Sequence, residues 1–553
     1  MAAAEPLLRD RCVDVSRRLR WLLLLCCAAW GLFYIERTSI LLDGERTFLL
    51  WDDAMISMRY ARNLANGDGL VWNPGGERVQ GISNPGVTLA MAGLHLLPLP
   101  LAKMALAFQL VSLALLGLCL WLTASLAEQL SGEPAVGLGA SLALALWAPF
   151  PVWALQGADT AAATACGLAA LVDVARAERA RSAWPGRVFV WLAVGLVVRL
   201  DAAIPAAVIG ALALLRSSAR RAALVGLALG VATLVGVLAS GQLYYGDPLP
   251  NTYYLKATGT PRALMLEAGL VQTANLLLGL SWPVAAALLL GLAWGLWRGG
   301  AHRVVALFAA ATLAYNLWVG GDWATGLPSR FAIPAFPPLF CLLLAGLWQT
   351  KWLRDGRGVA RWGVALVGVS IGLLASSGQA RSDWYGISDE TLFKRQNLAL
   401  LRAGHYLREH SAESTSVALH WAGTTAYFAE RPAVDVLGKS DRHIARLSVD
   451  RFSPGHSKWD WSYVIHSLRP DVILDVSRGL GARRDFRRDY LLATTDVRGE
   501  PLQFFVRRGA EGKIRDADVV FSSLLGSGPR TPPAQEALPG LVQPQRTPQA
   551  AQK

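Results

Sequence analysis

The chain has 553 residues, is 53% hydrophobic and only 17% charged, and has a mean hydropathy of +0.35. That is too apolar for a soluble enzyme and fits a polytopic membrane protein with one soluble appendage. A formal charge of +13 raises the question of nucleic acid. However, the arginines lie in short loops between apolar runs, where they fix membrane orientation, so a nucleic-acid partner is excluded.

Apolar stretches are predicted at residues 20–41, 84–99, 103–127, 134–150, 158–176, 187–198, 202–215, 221–240, 282–297, 303–319, 333–350 and 361–378. The first follows a basic N-terminal segment, residues 1–19, and precedes Glu36 and Arg37 with no small-residue cleavage site, so it reads as a retained helix. Five clusters mark inner segments: Arg9, Arg11, Arg17, Arg18 and Arg20; Arg176, Arg179, Arg181 and Arg187; Arg216, Arg220 and Arg221; Arg298 and Arg303; and Lys351, Arg354, Arg357 and Arg361. The N-terminus is therefore predicted inside.

The stretch 84–99 is short, with Pro85, Pro98 and Pro100 near its ends, whereas a span needs about 20 residues. Only if it lies along the outer surface do all the arginine clusters fall inside, which leaves eleven predicted spans. Arg199, Leu200 and Asp201 interrupt two short runs and read as a charged turn below the outer surface. Beyond residue 379 the pattern changes. Strands at 417–421, 472–476 and 502–506 and a helix at 397–410 predict a small external α/β domain over 380–510. Residues 511–553, rich in Pro and Gln from Gly526, read as a disordered tail. No Cys/His spacing supports zinc or a disulfide framework.

This topology puts nearly every unusual polar segment on one face, with an outer catalytic loop over 42–100. Asp52 and Asp53 stand just beyond the first span, where carboxylates are costly to place and mark chemistry. Arg59, Arg62, Asn63 and Gln80 follow in the same loop, Asp159 and Asp322 lie in others, and Trp51 and Trp72 are candidate stacking platforms. Arg59 and Arg62, three residues apart, share a helical face with one of the aspartates. The alternative for this segment is a solvated, ion-paired helix.

The string Asp52-Asp53-Ala54-Met55-Ile56-Ser57-Met58-Arg59-Tyr60-Ala61-Arg62-Asn63-Leu64, followed by Gly67-Asp68-Gly69-Leu70-Val71-Trp72-Asn73 and Gly81-Ile82-Ser83-Asn84-Pro85, resembles the first external loop of GT-C polyprenyl-phosphate-sugar glycosyltransferases. Within that superfamily it is most similar to mycobacterial terminal β-arabinofuranosyltransferases and pilin arabinosyltransferases of pseudomonads. The runs 244–256, 320–323 with Arg330-Phe331, 435–441 and 454–458 extend the resemblance over about residues 20–510. Gln156-Gly157-Ala158-Asp159-Thr160 departs from it, since relatives carry Gly-Met-Glu-Thr there.

The resemblance implies a sugar, arabinofuranose or a similar pentose, moved from a polyprenyl-phosphate donor to a hydroxyl of a glycan or protein acceptor at the outer face of a bacterial inner membrane. Such chemistry needs a base for the hydroxyl proton and cations for the phosphate. Asp53 is favoured as base with Asp52 as its partner, and the reverse stays open. Lys256, Arg330 and Arg199, with His456 and Lys458 from the external domain, are the phosphate-binding candidates. Arg59, Arg62, Asn63, Gln80, Asp159 and Asp322 are candidates for sugar or acceptor. A divalent cation (Mg²⁺, Mn²⁺ or Ca²⁺) held by Asp52 and Asp53 is a second possibility, since paired acids suit such ions. A lipid-linked sugar flippase or transporter is the rival class, although transporters show internal repeats that this sequence lacks.

Overall fold

The computed structural model describes residues 4–157, 159–216, 220–322, 328–350, 366–367, 369–370, 373, 391–475, 477–497 and 499–525. The span expected at 361–378 lies almost wholly outside these residues, as do Lys351, Arg354, Arg357, Arg361, Trp323 and the tail from Gly526.

The N-terminal two thirds is helical: α1 (Ala4–Thr38), α2 (Asp52–Ala65), α3 (Pro85–His95), α4 (Leu101–Ser131), α5 (Pro134–Leu146), α6 (Pro149–Leu155), α7 (Thr160–Arg179), α8 (Arg187–Val198), α9 (Ala203–Leu214), α10 (Arg220–Tyr245), α11 (Asn251–Ala257), α12 (Arg262–Gly279), α13 (Trp282–Arg298), α14 (Gly300–Trp318) and α15 (Phe336–Trp348). Among the described residues, four of these are long and apolar enough to cross a membrane alone. Counting the pairs α5/α6, bent by 68°, and α12/α13, bent by 113°, as one span each raises the number to 6. The expectation of eleven spans thus exceeds what length and composition establish here. The apolar runs are more broken than their hydropathy suggests, at Pro149 in the first pair and Ser281 in the second. α12 had no counterpart among the predicted stretches, because Glu267, Gln272 and Asn275 dilute its leucines. α3 has 11 residues, about 16 Å at 1.5 Å per residue, too short to cross a hydrocarbon core of about 30 Å.

Between α1 and α2 the chain makes a small antiparallel hairpin, β1 (Ile40–Leu42) with β2 (Glu45–Thr47). The C-terminal domain is a six-stranded mixed sheet of β3 (Val417–Leu419), β4 (Ala433–Asp435), β5 (Val472–Ile473), β6 (Tyr490–Val497), β7 (Glu500–Arg507) and β8 (Val520–Ser523), in spatial order β4-β3-β5-β7-β6-β8. Alternation along the strands divides its two faces. Val417, Leu419, Val472, Phe504 and Val506 face one core, and Ala418, Ile473 and Phe505 the other. β4, β6 and β8 escaped the sequence reading, and β8 carries the sheet past the boundary expected at 510, pairing Leu491 with Ser523.

α2 is the wedge that joins the two halves. Its Ala54, Met55, Met58 and Ala61 belong to the core of the helical bundle, while Ile56 and Tyr60 pack with Tyr406, Leu407 and Leu419 of the C-terminal domain. This two-sided burial is why a helix carrying Asp52, Asp53, Arg59 and Arg62 is buried from Ala54 to Asn63.

Candidate functional site

Asp52 and Asp53 occupy the first turn of α2, where the N-terminal partial positive charge favours carboxylates. From there the two diverge. Asp52 accepts N–H bonds from Gly423 at 3.1 Å and Thr424 at 2.8 Å, tying α2 to the C-terminal domain. The backbones meet so closely that a Cβ on Gly423 would lie 1.9 Å from the Asp52 carbonyl oxygen. Burial pushes the Asp52 carboxyl up, against the opposing pull of Lys439 and the Thr424 N–H.

Asp53 instead faces cations. Lys439 Nζ donates to its Oδ1, and Arg330 Nη2 donates to Oδ2 at 2.9 Å. The chain of charges continues from Arg330 Nε to Asp322 Oδ2 at 2.8 Å, and from Asp322 Oδ1 to Lys256 Nζ at 3.7 Å. Burial alone would raise the Asp53 carboxyl. Lys439, Arg330 and Lys256 outweigh it and hold it well below the ordinary carboxylate range.

Lys439 was not among the predicted phosphate ligands, and it comes from 386 residues away. Its loop is built by Asp435, whose carboxylate accepts from the N–H groups of Leu437 at 3.0 Å, Gly438 at 3.1 Å and Ser440 at 2.7 Å. Gly438 supplies the positive φ of 78° that the turn requires. The loop lies against the first loop so tightly that a Cβ on Gly81 would lie 2.7 Å from the Tyr60 hydroxyl and 3.1 Å from the Lys439 carbonyl. The signal available in the sequence was the run Asp435-Val436-Leu437-Gly438-Lys439-Ser440, a turn with a lysine at its tip.

Asp52, Asp53, Asp159, Lys256, Asp322, Arg330, Lys439 and His456 line one cavity of about 110 Å³, together with Trp51, Trp153, Phe393, Gln396, Asn397 and Trp421. His456 is buried, and desolvation with Lys439 nearby pulls its pKa down to about 3, so it is neutral at ordinary pH. The Phe331 ring lies under three cations, with Arg199 at 5.0 Å and Lys256 and Arg330 at 5.8 Å.

Several predicted ligands are engaged elsewhere. Arg59 donates to the carbonyls of Trp72, Ala426 and Arg431 and to Asn73 Oδ1. Arg62 donates to the Tyr427 carbonyl at 2.7 Å and to Glu430 at 2.9 Å. Rather than holding sugar, both clamp the C-terminal domain onto α2. Asn63 donates to the carbonyls of Val71 and Trp72, at 2.9 and 3.1 Å, and Trp72 is covered by Arg59. Gln80 is buried and is not among the residues lining the cavity; its main-chain carbonyl accepts from the Asn251 N–H at 2.8 Å. Lys458 spends its ammonium on the carbonyls of Tyr254, Thr258 and Ala445, which leaves it no donor for a phosphate. Arg199 is held by Asp159 at 2.8 Å and Asp201 at 2.6 Å and lines a neighbouring apolar slot that shares Arg330 with the main cavity. Among the described residues, no three His, Cys, Asp or Glu side chains gather as a metal site would need. A divalent cation would have to displace Lys439 and Arg330 from Asp53 and Thr424 from Asp52, so this donor set does not fit one.

Set beside known structures, the architecture recurs. ArnT from Cupriavidus metallidurans bound to undecaprenyl phosphate matches with a TM-score of 0.58 at 14% identity, covering 88% of this chain and 98% of that one. Its apo state matches at 0.57 and 13%, covering 89% and 98%. The apo form of an Archaeoglobus fulgidus oligosaccharyltransferase matches at 0.52 and 10%, covering 91% of this chain and 76% of that one. These neighbours are GT-C proteins. The chain has the GT-C fold. Residues 386–515 match a family described as Domain of unknown function (DUF8728). No curated protein sequence matches the chain. In this chain the cavity opens where α2, the loops after α6 and α14, and the C-terminal domain converge.

Proposed function

We propose that this chain is a GT-C glycosyltransferase that moves a sugar from a polyprenyl-phosphate donor to an acceptor hydroxyl. The observation that carries the reading is the half-buried carboxylate of Asp53, ringed by Lys439, Arg330 and Lys256 inside the shared cavity. The fold supports it, because ArnT with the same architecture binds undecaprenyl phosphate. In this account the N-terminus lies inside and the cavity opens at the outer face of a bacterial inner membrane. The sequence resemblance favours a pentose such as arabinofuranose.

The donor is a phosphodiester with one negative charge, and the departing polyprenyl phosphate carries up to two. The acceptor oxygen attacks the anomeric carbon as the bond from that carbon to the phosphate oxygen breaks, and the electron pair leaves with the phosphate. Charge grows on the leaving group, where preformed cations act most strongly. Lys439 and Arg330, shared between Asp53 and the phosphate, follow that charge. As they do, Asp53 is less neutralised and its proton affinity rises, at the moment when the acceptor hydroxyl must lose its proton. Asp53 takes this proton and later releases it to solvent. Asp52 positions α2 against the C-terminal domain, and Asp322 orients Arg330 and Lys256.

Native mass spectrometry of the purified chain with undecaprenyl phosphate tests the reading. The wild type should retain the lipid, and the Arg330→Ala, Lys439→Ala double variant should lose at least tenfold in affinity. Equal retention by both proteins would refute the phosphate assignment.

A further inference from the structure

The cavity has a second wall that phosphate transfer does not use. Trp51 packs on Trp153 with ring centroids 4.5 Å apart and faces Phe393 at 6.1 Å. The Trp153 indole is fixed by donating to the Pro328 carbonyl at 2.9 Å. Phe393, Gln396 and Asn397 are spaced i, i+3 and i+4 on the helix Leu392–His410, so they share one face, and all three line the cavity. Asn397 is only 5% exposed and its Nδ2 has no hydrogen-bond partner. A buried amide left unpaired is costly, and this one belongs to a residue that lines the cavity.

Aromatic faces with amides beside them match one ligand chemistry. Sugar rings offer apolar C–H faces to stack on and hydroxyls to pair with amides. An extended peptide would instead need a strand edge to pair with, and none of the residues lining the cavity lies in a strand. Trp51 is two residues before Asp53 in the chain, so a ring held on this wall has its hydroxyls beside the carboxylate.

From this we infer that the aromatic and amide wall is an acceptor subsite and that the acceptor is a carbohydrate chain, its terminal ring stacked against Trp51 and Phe393 and hydrogen-bonded by Asn397. The inference rests on the glycosyl-transfer reading and narrows it to glycan acceptors.

The test uses the full chain in lipid nanodiscs, with linear hexasaccharides of arabinose, mannose and glucose and Ser/Thr-containing peptides as probes. Calorimetry should show saturable binding of at least one hexasaccharide, weakened tenfold or more in Asn397→Ala and in Phe393→Ala, with unfolding midpoints confirming folded variants. In turnover with a polyprenyl-phosphate sugar, that glycan should accelerate polyprenyl phosphate release. Both variants should raise the glycan KM tenfold while the donor KM stays within twofold. Acceleration by a peptide and by none of the glycans overturns the carbohydrate assignment while leaving glycosyl transfer intact. Failure of every hexasaccharide to bind also overturns it. Glycan binding with no donor turnover under any condition refutes the transfer reading and, with it, the acceptor role.

Discussion

Replacing Lys439 by methionine keeps the buried stem and removes the ammonium that contacts Asp53 Oδ1. The lysine is 6% exposed, so the loss is felt in a confined site rather than screened by water. Arg330 remains at 2.9 Å from the other carboxylate oxygen, so the site keeps one direct cation of two. Removing one preorganised donor to a developing negative charge costs about 10²–10³ in kcat, or about 3–4 kcal/mol. Lys439→Met should lose that much polyprenyl phosphate release at saturating donor, and Lys439→Arg should recover part of it. The pH profile moves as well. Lys439 is the foremost of the groups that hold the Asp53 carboxyl down, so its removal raises the Asp53 pKa. The deprotonated form is the base, and a higher pKa removes it at a higher pH. The wild type should therefore show no acid limb above about pH 5, given an ordinary Asp value near 3.9, whereas the variant's limb should move toward neutrality. A variant within twofold of wild type at every pH, or an acid limb that moves down, would refute the reasoning.

Further outcomes follow from the same contacts. Arg59→Ala strips four acceptors of a buried guanidinium and should cost about 3–5 kcal/mol. Limited trypsin digestion should then release the C-terminal domain sooner; an unchanged digestion pattern and melting temperature would contradict the clamp. Asp52→Asn, which weakens the N–H contacts from Gly423 and Thr424, should cost about 1–2 kcal/mol of stability and reduce kcat less than Asp53→Asn. Gly423→Ala, whose Cβ meets the Asp52 carbonyl at 1.9 Å, should be the more damaging at that junction by thermal melting. Because the folded Asp53 carboxyl is held below its unfolded value, its contribution to stability is present above about pH 4 and is lost as pH falls through the folded value. The melting difference between wild type and Asp53→Asn should accordingly shrink between pH 5 and pH 3; a constant difference would show that the ion pairs contribute nothing.

The first aspartates were legible because carboxylates are conspicuous in an apolar chain, and Arg330, Lys256 and Asp322 were legible as polar groups on loops of a common face. All of these gather around one cavity. What the sequence concealed was pairing across distance. Arg59 and Arg62 look like ligands until the carbonyls of Ala426, Tyr427 and Arg431 arrive from the far end of the chain. Asn397 reads as the start of an ordinary helix until the domain docks, and Phe393 falls outside the helix expected at 397–410, which in the structure begins at Leu392. The same holds for the spans. Hydropathy located most apolar runs, but not the bends at α5/α6 and α12/α13, and it missed α12, whose polar residues are spread along an otherwise leucine-rich helix. The strands β4 and β8, at three and four residues, are too short to show a period of two.

In the proposed reaction Asp53 serves as the base of a lipid-fed glycosyl transfer. This role is tested most directly by measuring polyprenyl phosphate released from a panel of polyprenyl-phosphate sugars in the presence of acceptor, with wild type and Asp53→Asn side by side. The account predicts release by the wild type from at least one donor and a loss of at least 10³-fold in Asp53→Asn, about 4 kcal/mol, with undecaprenyl phosphate still bound. Equal release by the two proteins, or none from any donor by a wild type that binds the lipid, would contradict it.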